Sequence, residues 1–148
     1  ELGIRKIKIT GGEPLVRKGC VDLIGMIKEI PGIIQVTMTT NGVLLKENLK
    51  ALKDAGLDGI NISLDTLDHE KYYKITGTDA CDTVLEAVDA SAESGIRTKV
   101  NSVLQDAGDR QEWRALARLA EKLPVDVRFI ELMPIGCGKR NTGVSNLE

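Results

Sequence analysis

Four cations, Lys6, Lys8, Lys99 and Arg128, sit in short segments rich in Ile, Val and Thr, where they alternate with apolar residues. Successive side chains of a strand point to opposite faces, so Lys6-Ile7-Lys8-Ile9 presents lysines on one face and isoleucines on the other. Gathered in one volume, the four would suit a polyanion such as a nucleoside triphosphate better than a lone carboxylate. Each alone is also an ordinary surface salt-bridge partner. The first segment runs into Thr10-Gly11-Gly12-Glu13-Pro14. Its two glycines permit backbone angles closed to other residues and bring bare amide and carbonyl groups close to a ligand, while Glu13 offers a carboxylate to a cationic amine. Thr39-Thr40-Asn41-Gly42 and Asn61-Ile62-Ser63-Leu64-Asp65 end two further segments with small hydroxyl and amide groups. Taken singly, the Gly-Gly-Glu-Pro stretch fits a plain tight turn equally well, and the other two fit turn and cap chemistry.

The elements that must position these groups are strands and helices in strict alternation. Residues 6–10, 35–40, 59–65, 98–103 and 125–131 have strand composition. Between them, Val21, Ile24, Ile27 and Ile30; Leu45, Leu49 and Leu52; Val84, Leu85, Val88 and Ala92; and Trp113, Leu116, Ala117 and Ala120 recur at helical spacing. Pro31-Gly32, Gly56, Gly95 and Pro124 end the successive helices, and the longest gap predicts an extra short helix over 68–75. Strands joined by helical crossovers pair in parallel. Strands buried on both faces would read as continuous apolar runs. Here Ile7, Ile9, Val36, Met38, Ile60, Ile62, Leu64, Val100, Val125, Val127 and Phe129 take one parity, to pack under the helices. Lys6, Lys8, Thr10, Thr37, Thr39, Asn61, Ser63, Asp65, Lys99, Asn101, Asp126 and Arg128 take the other. Burying that many unpaired polar groups would cost about 1–3 kcal/mol each, so this face must look into a wet cavity or onto a ligand. An open, partial TIM-like α/β barrel with a cationic lumen is the fold that fits. An antiparallel sheet with one solvated face would need short hairpin turns, which the sequence does not contain.

Composition narrows the classes. The 148 residues match one domain, 1–148, and are too few for a complete eight-unit barrel. With 20 basic against 22 acidic residues the net charge is -2, so a basic nucleic-acid-binding surface is not expected and any anion site must be local. The apolar runs are far too short to cross a bilayer and no signal segment opens the chain, so neither nucleic acid nor membrane is an expected partner and a cytoplasmic location is the default. Cys20, Cys81 and Cys137 match neither a disulfide framework nor a Cys-x-x-Cys site and are expected to be ordinary thiols. His69 is expected at the surface, Trp113 in packing on an outer helix, and 109–112 at a solvated helix start. No serine or cysteine has a histidine at triad spacing.

The order of the motifs is more specific than any one of them. Lys6-Ile7-Lys8-Ile9-Thr10-Gly11-Gly12-Glu13-Pro14-Leu15, Thr39-Thr40-Asn41-Gly42, Lys99-Val100-Asn101 and Arg128-Phe129-Ile130-Glu131-Leu132-Met133-Pro134-Ile135-Gly136 together resemble the radical S-adenosylmethionine enzymes, and within them the GTP 3′,8-cyclase branch of molybdenum cofactor biosynthesis. The resemblance implies a partial (βα)6 barrel of which this chain holds parallel strands two to six. It implies S-adenosylmethionine bound on a [4Fe-4S] cluster and cleaved reductively to a deoxyadenosyl radical that abstracts hydrogen from the ribose of GTP, with cyclisation onto guanine C8. Carried over by position, Gly11, Gly12, Glu13, Ser63 and Met133 would contact the cofactor. Lys8, Thr39 and Lys99 would hold GTP, with Lys6 and Arg128 as further candidates. Lysine stands at position 8, where many members carry arginine; the charge is kept and the bidentate fork lost.

The family's cluster ligands form a Cys-x-x-x-Cys-x-x-Cys loop that would precede Glu1, and its second cluster belongs to a region that would follow Glu148. The expectation is therefore a core fragment with no metal ligands of its own, inactive alone, whose open edge at 6–10 is a candidate for homodimerisation. A non-catalytic nucleotide-binding module and a radical enzyme acting on a peptide or another cofactor remain the alternatives, since the Gly-Gly-Glu-Pro pattern is shared.

Overall fold

A computed structural model describes residues 3–104 and 110–132 of the chain. Five strands form one parallel sheet in sequence order: β1 (Lys6–Ile9), β2 (Gln35–Thr40), β3 (Gly59–Ser63), β4 (Arg97–Leu104) and β5 (Val125–Glu131). Helices α1 (Cys20–Lys28), α2 (Leu45–Asp54), α4 (Cys81–Ser94) and α5 (Arg110–Lys122) connect them, and the extra helix α3 (His69–Thr76) lies in the long gap after β3. Right-handed crossovers between strands in unreversed order keep every connecting helix on the same side of the sheet, the winding of a barrel wall rather than of a doubly wound sheet. Burial agrees. Val36, Met38, Ile60, Ile62 and Val100 are closed from solvent together with Ile24, Leu45, Leu52, Val84, Val88 and Leu116 of the helices.

Each helix reaches that core through the expected spacing. Leu45, Leu49 and Leu52 of α2 and Cys81, Val84, Ala87 and Val88 of α4 recur three or four residues apart and are buried. The carboxylate of Asp68 caps α3 by accepting from the Lys71 amide at 2.8 Å.

The sheet departs from expectation at its ends. β3 stops at Ser63 rather than at 65, because the chain turns away there and its side chains continue the pairing. Leu64 N still donates to Asn101 O at 2.9 Å, the Asp65 carboxylate accepts from Val103 N at 2.8 Å, and Ser102 Oγ donates to Asp65 O at 3.2 Å. β4 begins one residue early, at Arg97, and β1 ends at Ile9. Phe129, expected under the helices, is 39% exposed, since β5 has a neighbour on one side only and α5 covers its beginning. A 3-10 turn, Pro14–Val16, follows the glycine pair and had no signal in the hydrophobic pattern.

Candidate functional site

Register decides which of the polar side chains meet. Across the sheet Lys6 pairs with Gln35, and Lys8 with Thr37, which continues through Gly59 to Arg97. The next row is Thr39, Asn61, Lys99 and Asp126, and above it run Ser63, Asn101 and Arg128. Lys8, Lys99 and Arg128 therefore share one face on successive rows, as the alternation demanded. Lys6 shares the face but not the place: six residues of strand, about 20 Å at ~3.3 Å per residue, separate its row from that of Ser63. Parallel α/β sheets bind ligands at the carboxyl ends of their strands, which here is the Ser63 end.

The central row is built tightly. Asn61, only 7% exposed, donates from Nδ2 to Met38 O at 3.2 Å, which fixes its amide beside Thr39. Lys99 is half-buried, and its Nζ lies 2.8 Å from Asp126 Oδ2; the same oxygen accepts from Arg97 at 3.3 Å. The hydrogen bond and charge of Lys99, then those of Arg97, hold the Asp126 carboxyl below its ordinary range. Arg97 follows the parity of Lys99 and Asn101 but fell outside the predicted strand; extending β4 by one residue would have found it. Gly59 interrupts the row below and leaves a hollow of about 50 Å³ lined in part by Thr37, Asn61, Arg97 and Lys99.

The rim above carries an unsatisfied group. Asn101 Oδ1 is buried and has no hydrogen-bond partner among the described residues, beside exposed Ser63 and Arg128 in its row. A buried carbonyl oxygen without a donor costs about 1–3 kcal/mol, so a donor supplied by a ligand would relieve it. Asp65 stands at the same rim. Burial raises its pKa, opposed by the bond from Val103.

Glu13 turns out to be engaged by the chain itself. Its Oε1 accepts from Leu15 N at 3.1 Å and Thr40 Oγ1 at 2.8 Å, and its Oε2 from Asn41 N at 2.7 Å. The carboxylate thus ties the Gly-Gly-Glu-Pro turn to the end of β2, and a ligand amine would meet an anion already held rigid. Of the two glycines, only Gly11 takes a left-handed φ, +153°; Gly12 does not. Both are exposed with open space where a side chain would stand, so access to the backbone is the feature they share. Met133 and Cys137 lie outside the described residues. Cys20 and Cys81 are buried free thiols whose pKa values burial raises, and among the described residues no three Cys, His, Asp or Glu side chains group to hold a metal ion. His69 is exposed and pairs with Asp82 at 3.3 Å.

Residues 1–120 match the model of the Radical SAM superfamily. The chain is 46% identical over 147 residues to the GTP 3′,8-cyclase of Clostridium perfringens (strain SM101 / Type A), an alignment covering 99% of this chain and 46% of that protein. It is 42% identical over 142 residues to Molybdenum cofactor biosynthesis protein 1 of Drosophila melanogaster, covering 96% of this chain and 25% of that one. The chain spans about half the length of the bacterial relatives it matches. In fold it is similar to Streptococcus suis SuiB bound to S-adenosylmethionine, with a TM-score of 0.75 at 22% identity over 88% of this chain and 30% of that one.

Proposed function

From the chain's membership of the radical SAM superfamily as premise, we propose that it forms the nucleotide-facing wall of a GTP 3′,8-cyclase of molybdenum cofactor biosynthesis, with S-adenosylmethionine and GTP on the polar face of the sheet. The observation that carries this reading is the row of Thr39, Asn61 and Lys99, which lies between Lys8 below and Ser63, Asn101 and Arg128 above. S-adenosylmethionine, when bound, supplies the hydrogen-abstracting chemistry that begins closure of ribose C3′ onto guanine C8.

The residues present fit that cofactor. Exposed backbone at Gly11 and Gly12, the rigid carboxylate of Glu13 and the hydroxyl of Ser63 would receive its amino-acid and ribose groups. The unpartnered oxygen of Asn101 would take a ligand donor in the same row. Lys8, Lys99 and Arg128 place positive charge on one face of β1, β4 and β5, and a triphosphate bound on that face would be held by charge-assisted hydrogen bonds, with the Thr39 hydroxyl in the row of Lys99. Fixing the phosphates fixes the ribose relative to the cofactor, and that positioning is what this wall contributes to the rate. The described residues do not fit a [4Fe-4S] cluster: Cys20 and Cys81 are buried in separate helices, so no step is assigned to a cluster here.

A protein of the relatives' full length carrying this chain, reduced anaerobically with S-adenosylmethionine, is expected to convert GTP to 3′,8-cyclo-7,8-dihydroguanosine triphosphate. Lys99→Ala should raise KM for GTP about tenfold, the scale of one charge-assisted hydrogen bond, while Lys6→Ala should stay within about twofold. No turnover of GTP, or equal effects of the two lysines, contradicts the reading.

A further inference from the structure

Lys99, the cation at the centre of the polar face, is not idle before substrate arrives. Its Nζ sits 2.8 Å from Asp126 Oδ2, and the oxygen it meets is also held by Arg97 at 3.3 Å. The three side chains differ in access: Lys99 is 21% exposed, Asp126 54% and Arg97 67%. Lys99 is thus the member held in place, and Arg97 the one free to follow the carboxylate outward. An anionic ligand reaching Lys99 must take it from Asp126, and a carboxylate left alone beside a phosphate would repel it. Arg97 removes that difficulty, because it sits on the same strand two residues away and already holds the oxygen that Lys99 would release.

Resting on the reading that a polyanion binds this face, we propose that Asp126 competes with the ligand phosphate for Lys99 and that Arg97 retains Asp126 when the phosphate wins, so that the three residues form a charge-exchange set that limits affinity for phosphates. Asp126 is a positioning and specificity residue in this scheme and need not touch the nucleotide. Ligands that engage Lys99 face the competition; guanosine, which brings no phosphate, does not.

Calorimetric titration of the full chain with GTP, inorganic tripolyphosphate and guanosine tests this. Asp126→Asn keeps the shape and removes the charge; it should tighten GTP and tripolyphosphate about threefold, leave guanosine unchanged, and lose most of its advantage at high salt, where exposed charges are screened. Arg97→Ala should weaken both anions about twofold, and that loss should vanish when combined with Asp126→Asn, since close charges couple and independent sites add. An Asp126→Asn change that leaves anion binding unaltered or weaker, or an Arg97→Ala loss that persists in the double variant, overturns the exchange. The tripolyphosphate arm separates the two readings: tightening of tripolyphosphate with GTP bound no better than tripolyphosphate supports the exchange and removes the nucleotide assignment, whereas binding of neither anion removes both.

Discussion

At the residue scale the rim of the sheet contains one carboxyl group working against its environment. Asp65 closes the gap left where β3 ends by accepting from Val103 N at 2.8 Å, and burial raises its pKa more than that bond lowers it. In the pH range between the ordinary aspartate value and the raised folded one, the folded chain binds more protons than the unfolded chain. Stability from this group is therefore full below the ordinary value and is lost as pH rises through the folded pKa. Asp65→Asn, which keeps an oxygen for Val103 N, is expected to raise Tm at neutral pH relative to the parent chain and to lose that advantage on acidification. A thermal melt series across pH checks it, and an advantage that grows toward acid would contradict the sign. Residue identity made the lysine face legible before any coordinates, because alternation in Lys6-Ile7-Lys8-Ile9 leaves little choice of side. It could not show that Lys6 lies at the far end of that face or that Asp126 neutralises Lys99, since both depend on register between strands distant in sequence.

Elements succeed here through the joints that tie them. Glu13 fastens the turn after β1 to the start of the loop after β2, and Thr40 Oγ1, which donates to Glu13, also accepts from Gly42 N at 3.1 Å. Gly42 is the point where that loop passes over the core. Its φ is +85°, and an added Cβ would stand 3.0 Å from Val84 Cγ1 and 3.1 Å from Ile62 Cγ2. Left-handed geometry costs a non-glycine residue roughly 1–2 kcal/mol, and overpacking a fixed core costs about 1–3 kcal/mol. Gly42→Ala should accordingly destabilise the chain by about 3 kcal/mol in urea unfolding, and a loss under about 1 kcal/mol would mean the loop relaxes away from α4. The motif Thr39-Thr40-Asn41-Gly42 announced a turn. That its glycine is demanded by packing against β3 and α4 was beyond local sequence, because Val84 and Ile62 reach it only through the folded sheet. The hinge between β3 and α3 was likewise half visible: Asp68 reads as a helix cap, whereas the side-chain continuation of pairing at Asp65 has no sequence signature.

Over the whole molecule, unreversed strand order is what turns a list of motifs into a site. Because helices cover one side only, the opposite side collects the alternate residues of every strand, and Ser63, Asn101 and Arg128 share one row there, directly above the row of Thr39, Asn61 and Lys99. The architecture was legible because strand and helix patterns alternate along the described chain, with the extra helix α3 in the gap after β3 as the one interruption. The same geometry puts Cys20 and Cys81 elsewhere. Cys20 opens α1 and Cys81 opens α4, each buried among core residues with its thiol pKa raised by that burial, the reverse of the exposed, easily ionised thiolates that iron requires. A four-iron cluster held by Cys20 and Cys81 would need α1 and α4 to unpack. Anaerobic incubation of the full chain with ferrous iron and sulfide, followed by desalting, should therefore leave no broad visible absorbance and less than about a tenth of an iron cluster per chain. Stoichiometric iron retained with that absorbance would require the helical layer to rearrange and would contradict the burial of Cys20 and Cys81.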